Sequence, residues 1–292
     1  MSKQTILNFG VVPGGSNNQR ATLVATAEET IKLTPTVLKL RPDAPPTGYI
    51  CLPSRYTPLS SKYFPNLRTH VQVVDGDTYD VAIHLTKTRT ANNGDIKPVC
   101  VLNMANAYVA GGGWLKGAMA QEEALCYRST LYKTLRRQYY PLEVREAIYS
   151  PTVVIFRESY KNHHRIMDFR EPHEFPVVSV VSVAAIRDPE VNNRTSPPTY
   201  VDIDDRLCMQ EKMRVTLRVA VHNGHRSVVL GALGCGAFRN PNEEVANCWA
   251  EVLQEQEFRG WFNNIVFAVM RDQAQGASNF SVFHTILDEL RV

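Results

Sequence analysis

The chain has 292 residues, 44% hydrophobic and 21% charged, enough for one large domain or two small ones with a sizeable core. That composition excludes disordered and collagen-like chains. A formal net charge of +3 admits an anionic ligand, but no basic stripe announces nucleic acid, so sequence-specific nucleic-acid binding is not expected.

Six cysteines (51, 100, 126, 208, 235 and 248) are scattered, with no CxxC pair and no His-rich ligand spacing. They read as reduced thiols of an intracellular protein, cytoplasmic or nuclear, without a metal site. Residues 1–10 lack the apolar core of a signal peptide. The longest apolar run, Phe175 to Ile186, is broken by Ser179 and Ser182 and is too short to cross a bilayer. No membrane partner is expected.

Residues 1–18 read as a polar arm ending in the turn cluster Gly14-Gly15-Ser16-Asn17-Asn18. Arg20 to Leu33 reads as an amphipathic helix. From Pro35 to Pro65 recurrent prolines predict a long surface connector. Residues 1–68 are expected to pack on the rest as an extension, because the first forty have too little apolar content for their own core. Residues 69–292 then form the main domain.

Thr69 to Val74 reads as a strand, with a turn at Asp75-Gly76-Asp77 and Asp77 as cap of a helix through Tyr79, Ala82, Ile83 and Leu85. Asn92 to Asp95 is a turn. The apolar run Val99 to Leu102 after Pro98 predicts a buried strand. Gly111-Gly112-Gly113 follows, and three glycines permit positive φ and let a ligand approach bare backbone. Seven residues later stands Gln121-Glu122-Glu123, and Ala124, Leu125, Arg128, Leu131, Tyr132 and Leu135 continue at helical spacing. Neighbouring helical residues point about 100° apart, so the two glutamates cannot oppose each other across a bond. Taken alone, the pair could be first-turn glutamates favoured by a helix N-terminus.

Val153 to Phe156 and Val177 to Ile186 are further strand-like runs. His163-His164, between them, has no ligand-spaced partner and reads as a solvated loop. After the loop 187–202, Asp204 or Asp205 starts a helix ending near Asn223, with Gly224 as its stop. Val228 opens VVLGALGCGAFRNPNEEV: a buried strand, a glycine-rich loop from Gly231 to Gly236, and a helix start capped at Asn240 with proline next and Glu243 at the third position. Such a loop at a helix N-terminus suits an anion, though it could equally be a plain β-α turn. No Gly-Lys-Ser/Thr follows, so it is not a Walker A loop. Cys235 lacks the setting of a nucleophile elbow, because Leu233 stands where glycine would be needed. Ile265 to Val269 is the last strand and Ser278 to Leu290 the last helix. Phe267 or Phe280 could stack on a base, or simply fill the core.

GGG, seven residues and QEE, flanked by NMANA and ALCYRSTLY, resembles the microbial-type poly(ADP-ribose) glycohydrolases; where that pattern often has proline, this chain has Ala110. The resemblance implies a three-layer α/β/α macrodomain-like mixed sheet with a helical N-terminal extension. It implies hydrolysis of the ribose–ribose O-glycosidic bond, no cofactor, and poly(ADP-ribose), ADP-ribose and ADP-ribosylated proteins as partners of a monomer, in the reversal of ADP-ribosylation that includes the DNA damage response. By the same resemblance Glu123 is the general acid and then activates water. Glu122 and Asn103 hold ribose hydroxyls, Asn106 and Gln121 belong to the substrate site, and Gly111 to Gly113 admit the diphosphate side. GALGCGAFRNP resembles the second macrodomain loop, so Gly234, Cys235, Gly236 and Ala237 would contact the diphosphate and Phe238 the distal ribose. Two other readings stay open: a mono(ADP-ribosyl) hydrolase and a non-catalytic ADP-ribose reader.

Overall fold

A computed structural model describes residues 16–88, 97–271 and 278–292. The turn expected at Asn92 to Asp95 and the arm before Ser16 lie outside the described residues.

Seven strands form one sheet in the order β1 (Tyr49–Cys51), β4 (Ala147–Val154), β5 (Val177–Val183), β3 (Cys100–Met104), β8 (Ser227–Leu230), β9 (Asn264–Ala268), β2 (His70–Val74). From β5 to β2 all neighbours are parallel, while β4 runs antiparallel to both β1 and β5. A two-stranded ribbon, β6 (Val191–Asn192) with β7 (Thr199–Tyr200), lies apart from it.

The sheet is mixed and covered on both sides, as near-continuous apolar strands require. Along β3, Val101 faces one core with helices α2 (Thr78–Thr88) and α3 (Gln121–Arg128), whereas Cys100 and Leu102 face the other. That second core is closed by α4 (Ile203–His222), α5 (Asn242–Gln254) and α6 (Asn279–Leu287). The result is the three-layer α/β/α macrodomain-like sheet expected from the sequence, with α1 (Ser16–Leu40) as the helical extension on the α3 side. Phe267 is fully buried between Trp249 and Phe283, which makes it core and removes it as a base-stacking candidate. Phe280 is also buried, with the Arg271 guanidinium over its ring.

Several local expectations are corrected. The turn expected at Ser16 to Asn18 is already helix, and α1 does not stop at Leu33 but continues through Pro35 to Leu40. Proline inside a helix removes one ladder hydrogen bond. Here Val37, two residues on, is fully buried with Ala44, Val154, Phe156 and Phe175, and that burial favours continuing the helix. Within the connector, Tyr49–Cys51 forms an edge strand paired with β4. The helix after Gln121 ends at Arg128 instead of running to Leu135. The Arg128 carbonyl accepts from Phe156 and Arg157 N–H, so tertiary pairing outcompetes helical periodicity. Leu131 and Leu135 stay buried all the same.

His164 is not solvated. It is buried beside Tyr127 and Tyr160, and burial holds its imidazole down at about 4. Asn240 does not cap α5; Pro241 occupies the cap position, while the Asn240 amide turns back onto the loop before it. Asp77 does cap α2, accepting from Tyr79 and Asp80 N–H at 2.8 and 3.2 Å. Asp202, not Asp204 or Asp205, caps α4 by accepting from Asp204 N–H.

Candidate active site

In parallel sheets, ligands sit beyond the carboxyl ends of the strands. The Gly111–Gly113 loop leaves that end of β3 and the Gly231–Gly236 loop leaves that end of β8. Both loops therefore stand on one rim. They begin in contact, since a Cβ on Gly231 would stand 3.1 Å from the Met104 methyl. β8 stops pairing with β3 at Val101. Beyond that point Gln121 takes over, its Oε1 accepting from Met104 N–H at 2.9 Å and its Nε2 donating to the Leu102 carbonyl at 2.7 Å. Nε2 also lies 3.2 Å from the Thr78 hydroxyl. Gln121 thus imitates a neighbouring peptide and pins the start of α3 to the strand. Its amide is fully engaged within the protein.

Glu122 and Glu123 follow as the next residues of α3, both buried. Glu122 accepts from the Asn106 backbone N–H at 2.8 Å and from Asn103 Nδ2 at 3.3 Å. Asn103 Nδ2 also donates to Ser182 Oγ at 3.0 Å, while its buried Oδ1 has no partner among the described residues. The Asn106 side chain caps its own loop by accepting from Tyr108 and Val109 N–H. Burial pushes the Glu122 carboxyl up to about 8, against the pull of N–H groups of Asn106, Asn103 and Gly111; the neighbouring Glu123 charge adds to the rise.

Glu123 accepts from Gly113 N–H at 2.8 Å and from Ala120 N–H at 3.1 Å. The second contact is half of a capping box, since alanine offers no side-chain acceptor in return. The first-turn reading of this glutamate is therefore true of it, and compatible with chemistry. Both carboxylates converge on one point of the glycine loop. Gly112 has φ +60°, and a Cβ there would stand 2.4 Å from Glu123 Oε1 and 3.0 Å from Glu122 Oε2. Gly111, at φ +73°, packs in the same way against Trp114 and the Cys126 thiol. Gly111 and Gly112 are thus required by close approach as well as by conformation, and Gly113 by close approach alone, since a Cβ there would stand 2.8 Å from the Ala118 Cβ.

The second loop is folded on itself. Gly234 has φ +76°, and a Cβ there would meet Asn240 Nδ2 at 2.5 Å and Ala185 at 2.7 Å. Asn240 Nδ2 donates to the carbonyls of Gly234 and Ile186, and its Oδ1 accepts from Tyr200 Oη at 2.8 Å. Glycine at 234 is demanded by the loop's own packing. Burial pushes the Cys235 thiol well up, leaving it unionised and so unsuited to nucleophilic attack. Gly236 is exposed, Ala237 and Phe238 half-buried, and Arg187 lies over the Phe238 ring. A cleft of about 580 Å³ opens between this loop, the 188–198 segment and the start of α5, lined by Cys235 and Asn242 among others. None of residues 103–123 lines it, so the cleft and the carboxylates occupy different parts of the rim.

Sequence reasoning missed the groups that hold the glutamate wall. Tyr127 Oη lies 2.9 and 2.7 Å from the carbonyls of Trp114 and Ala118, where it can donate to either and so bridges the loop. Buried Arg128 ties α3 to α2 through Asp77 and Asp80. A Tyr-Arg pair inside an apolar helical run is the signal that could have found them. Among the described residues no group of three or more His, Cys, Asp and Glu could hold a metal, and no helix is long and apolar enough to cross a membrane.

The catalytic-domain model of microbial-type poly(ADP-ribose) glycohydrolase matches residues 17–158. No curated protein matches the chain by sequence. Among solved structures, poly(ADP-ribose) glycohydrolase from Thermomonospora curvata superposes with a TM-score of 0.70 at 28% identity, covering 90% of this chain and 98% of that one. The same enzyme bound to the inhibitor ADP-HPD gives the same values. The enzyme from Deinococcus radiodurans in complex with ADP-ribose gives 0.64 at 25% identity, covering 86% and 96%. Residues 17–158 thus match the catalytic-domain model of the microbial-type poly(ADP-ribose) glycohydrolases, on a fold similar to that of these bacterial enzymes.

Proposed function

We propose that the protein is a glycosyl hydrolase that splits the ribose–ribose O-glycosidic bond of poly(ADP-ribose) and releases ADP-ribose. The observation that carries this reading is the convergence of Glu122 and Glu123 on Gly112, each carboxyl held by N–H groups of the β3–α3 segment. Donors fixed in advance place a carboxyl without reorganisation during the reaction.

Glu123 protonates the ribose 2′-oxygen as the bond from that oxygen to the neighbouring anomeric carbon breaks. Water then adds to the oxocarbenium-like centre and returns its proton to Glu123. Most glycosidases oppose two carboxylates across the sugar. Adjacent helical residues cannot do so, and one acid/base assisted by a substrate phosphate suits this geometry. Glu122, kept neutral by burial, grips a ribose hydroxyl with Asn103, whose unpartnered Oδ1 is a spare acceptor. The diphosphate runs past Gly111–Gly113 toward Cys235, Gly236 and Ala237, with Phe238 near the distal ribose. Asn106 and Gln121 serve the site by shaping its wall. Residues 1–68 act as an extension of the catalytic domain 69–292. ADP-ribosylated proteins are the source of substrate for a monomeric enzyme that reverses ADP-ribosylation.

The test is incubation with purified poly(ADP-ribose) and, separately, with mono-ADP-ribosylated protein, following free ADP-ribose. Release from the polymer is expected. Release only from the mono-modified protein would make this a mono(ADP-ribosyl) hydrolase, and tight ADP-ribose binding with no release would make it a reader.

A further inference from the structure

Glu123 is held by the two ends of one short loop, at Gly113 and Ala120, so the shape of that loop sets the position of the carboxyl. Within it, Ala118 N–H donates to the Gly113 carbonyl at 3.2 Å, which ties the ends together. The outside of the loop faces helix α1. Arg20 Nε donates to the Lys116 carbonyl at 2.8 Å. Gly117, at φ +73°, lies so close that a Cβ there would stand 2.5 Å from the Arg20 carbonyl oxygen. One and two turns on, Leu23 and Ala27 are buried in one cluster with Trp114, and Gln19 Nε2 reaches the Met119 sulfur at 3.4 Å. Thr30 Oγ1 donates to the Tyr127 carbonyl at 2.7 Å, and the Tyr127 hydroxyl in turn bridges the loop. The helix therefore touches the loop at residues 116, 117 and 119 and supports it again through α3.

We propose that α1 is a positioning element of the catalytic site, acting through Arg20 on the Lys116–Gly117 turn and so on the Gly113 and Ala120 N–H groups that hold Glu123. The proposal rests on Glu123 being the acid/base. Arg20 is exposed, and an exposed substitution away from caps and strained sites ordinarily changes stability by no more than about 0.5 kcal/mol. An effect on turnover from that residue therefore reports position. A small displacement of a reacting group can cost on the order of 10²-fold.

The experiment compares the wild type with Arg20→Ala, Arg20→Lys and Gly117→Ala, which perturb the contact from its two sides. Turnover on poly(ADP-ribose), ADP-ribose affinity, melting temperature and amide hydrogen exchange across residues 113–120 are measured. Arg20→Ala is expected to lower saturated turnover at least about tenfold. Its melting temperature should stay within about 2 °C and its ADP-ribose affinity within about threefold. Exchange in the loop should rise. Arg20→Lys, which keeps a donor, should recover part of the turnover, and Gly117→Ala should match Arg20→Ala in turnover and loop exchange, with an added fall of a few degrees in melting temperature from its left-handed backbone. Wild-type exchange across the loop in both Arg20→Ala and Gly117→Ala overturns the proposal, as does a turnover loss matched by loss of folded protein. If the wild type cleaves nothing, the glycohydrolase reading fails, and the exchange measurement still decides whether α1 holds the loop.

Discussion

Gly112 and Glu123 stand so close that any side chain at 112 would occupy the glutamate's place, the first atom falling 2.4 Å from Oε1. A contact under van der Waals distance cannot be absorbed by a carboxylate already fixed from Gly113 and Ala120. Gly112→Ala should therefore lower turnover on poly(ADP-ribose) by on the order of 100-fold. The left-handed backbone adds a stability cost of about 1–2 kcal/mol, visible as a fall of a few degrees in melting temperature. Full activity in Gly112→Ala would show that the carboxyl does not need its observed position.

The paired substitutions Glu123→Gln and Glu122→Gln divide the two roles. Glutamine keeps the shape but cannot exchange a proton, and general acid–base catalysis is worth about 10²–10⁴-fold. Glu123→Gln should lose that much turnover with ADP-ribose affinity moved less than about tenfold. Glu122→Gln should be impaired with a larger share in binding. The reverse pattern, an active Glu123→Gln beside a dead Glu122→Gln, would transfer the acid/base role to Glu122, whose raised carboxyl is chemically suited to it.

Glu122 also makes stability depend on pH. Its folded value near 8 lies above the ordinary 4.5, so between those values the folded state binds more protons than the unfolded one. Stability from this group is present below about pH 4.5 and is lost as pH rises through 8. Glu122→Gln mimics the neutral form and should flatten that dependence, gaining about 2 °C or more over the wild type at pH 8.5 and much less at pH 5. Thermal melts across pH 5–9 that run parallel for the two proteins would exclude a neutral Glu122.

At the second loop the outcomes should separate by chemistry. Cys235→Ser keeps a small side chain where an unionised thiol now sits, so activity should stay within about threefold of wild type; a thousandfold loss with ADP-ribose binding intact would restore the thiol as a nucleophile. Gly234→Val drives a branched side chain into Asn240 and Ala185 and should lower the melting temperature by several degrees along with ADP-ribose affinity. A variant that loses affinity with an unchanged melting curve would place the ligand, rather than the loop, against Gly234.

The central strands and the glutamate pair were legible because each is written in contiguous residues: valine-rich runs for β5 and β8, three glycines and QEE for the site. What sequence alone left hidden depends on partners far along the chain. The end of α3 is set by Phe156 and Arg157 taking the Arg128 carbonyl. The edge strand Tyr49–Cys51 exists because β4 offers it a partner, and no three-residue stretch among prolines announces that. Gln121 belongs to the motif, yet that its amide would stand in for a strand could not be read without knowing where β8 stops. The same holds for Asn240, which has the spacing of a cap and serves the loop behind it.

Arg20, Gly113, Ala120 and Glu123 meet at one wall although about a hundred residues separate the first from the rest. The motif between residues 99 and 137 is therefore not a portable cassette. Moved onto another macrodomain, it would carry both glutamates and all three glycines but leave its outer support behind. A chimera that aims to transfer this chemistry has to bring the first helix with it, or supply from the new host a donor for the Lys116 carbonyl and a close-packed surface for Gly117.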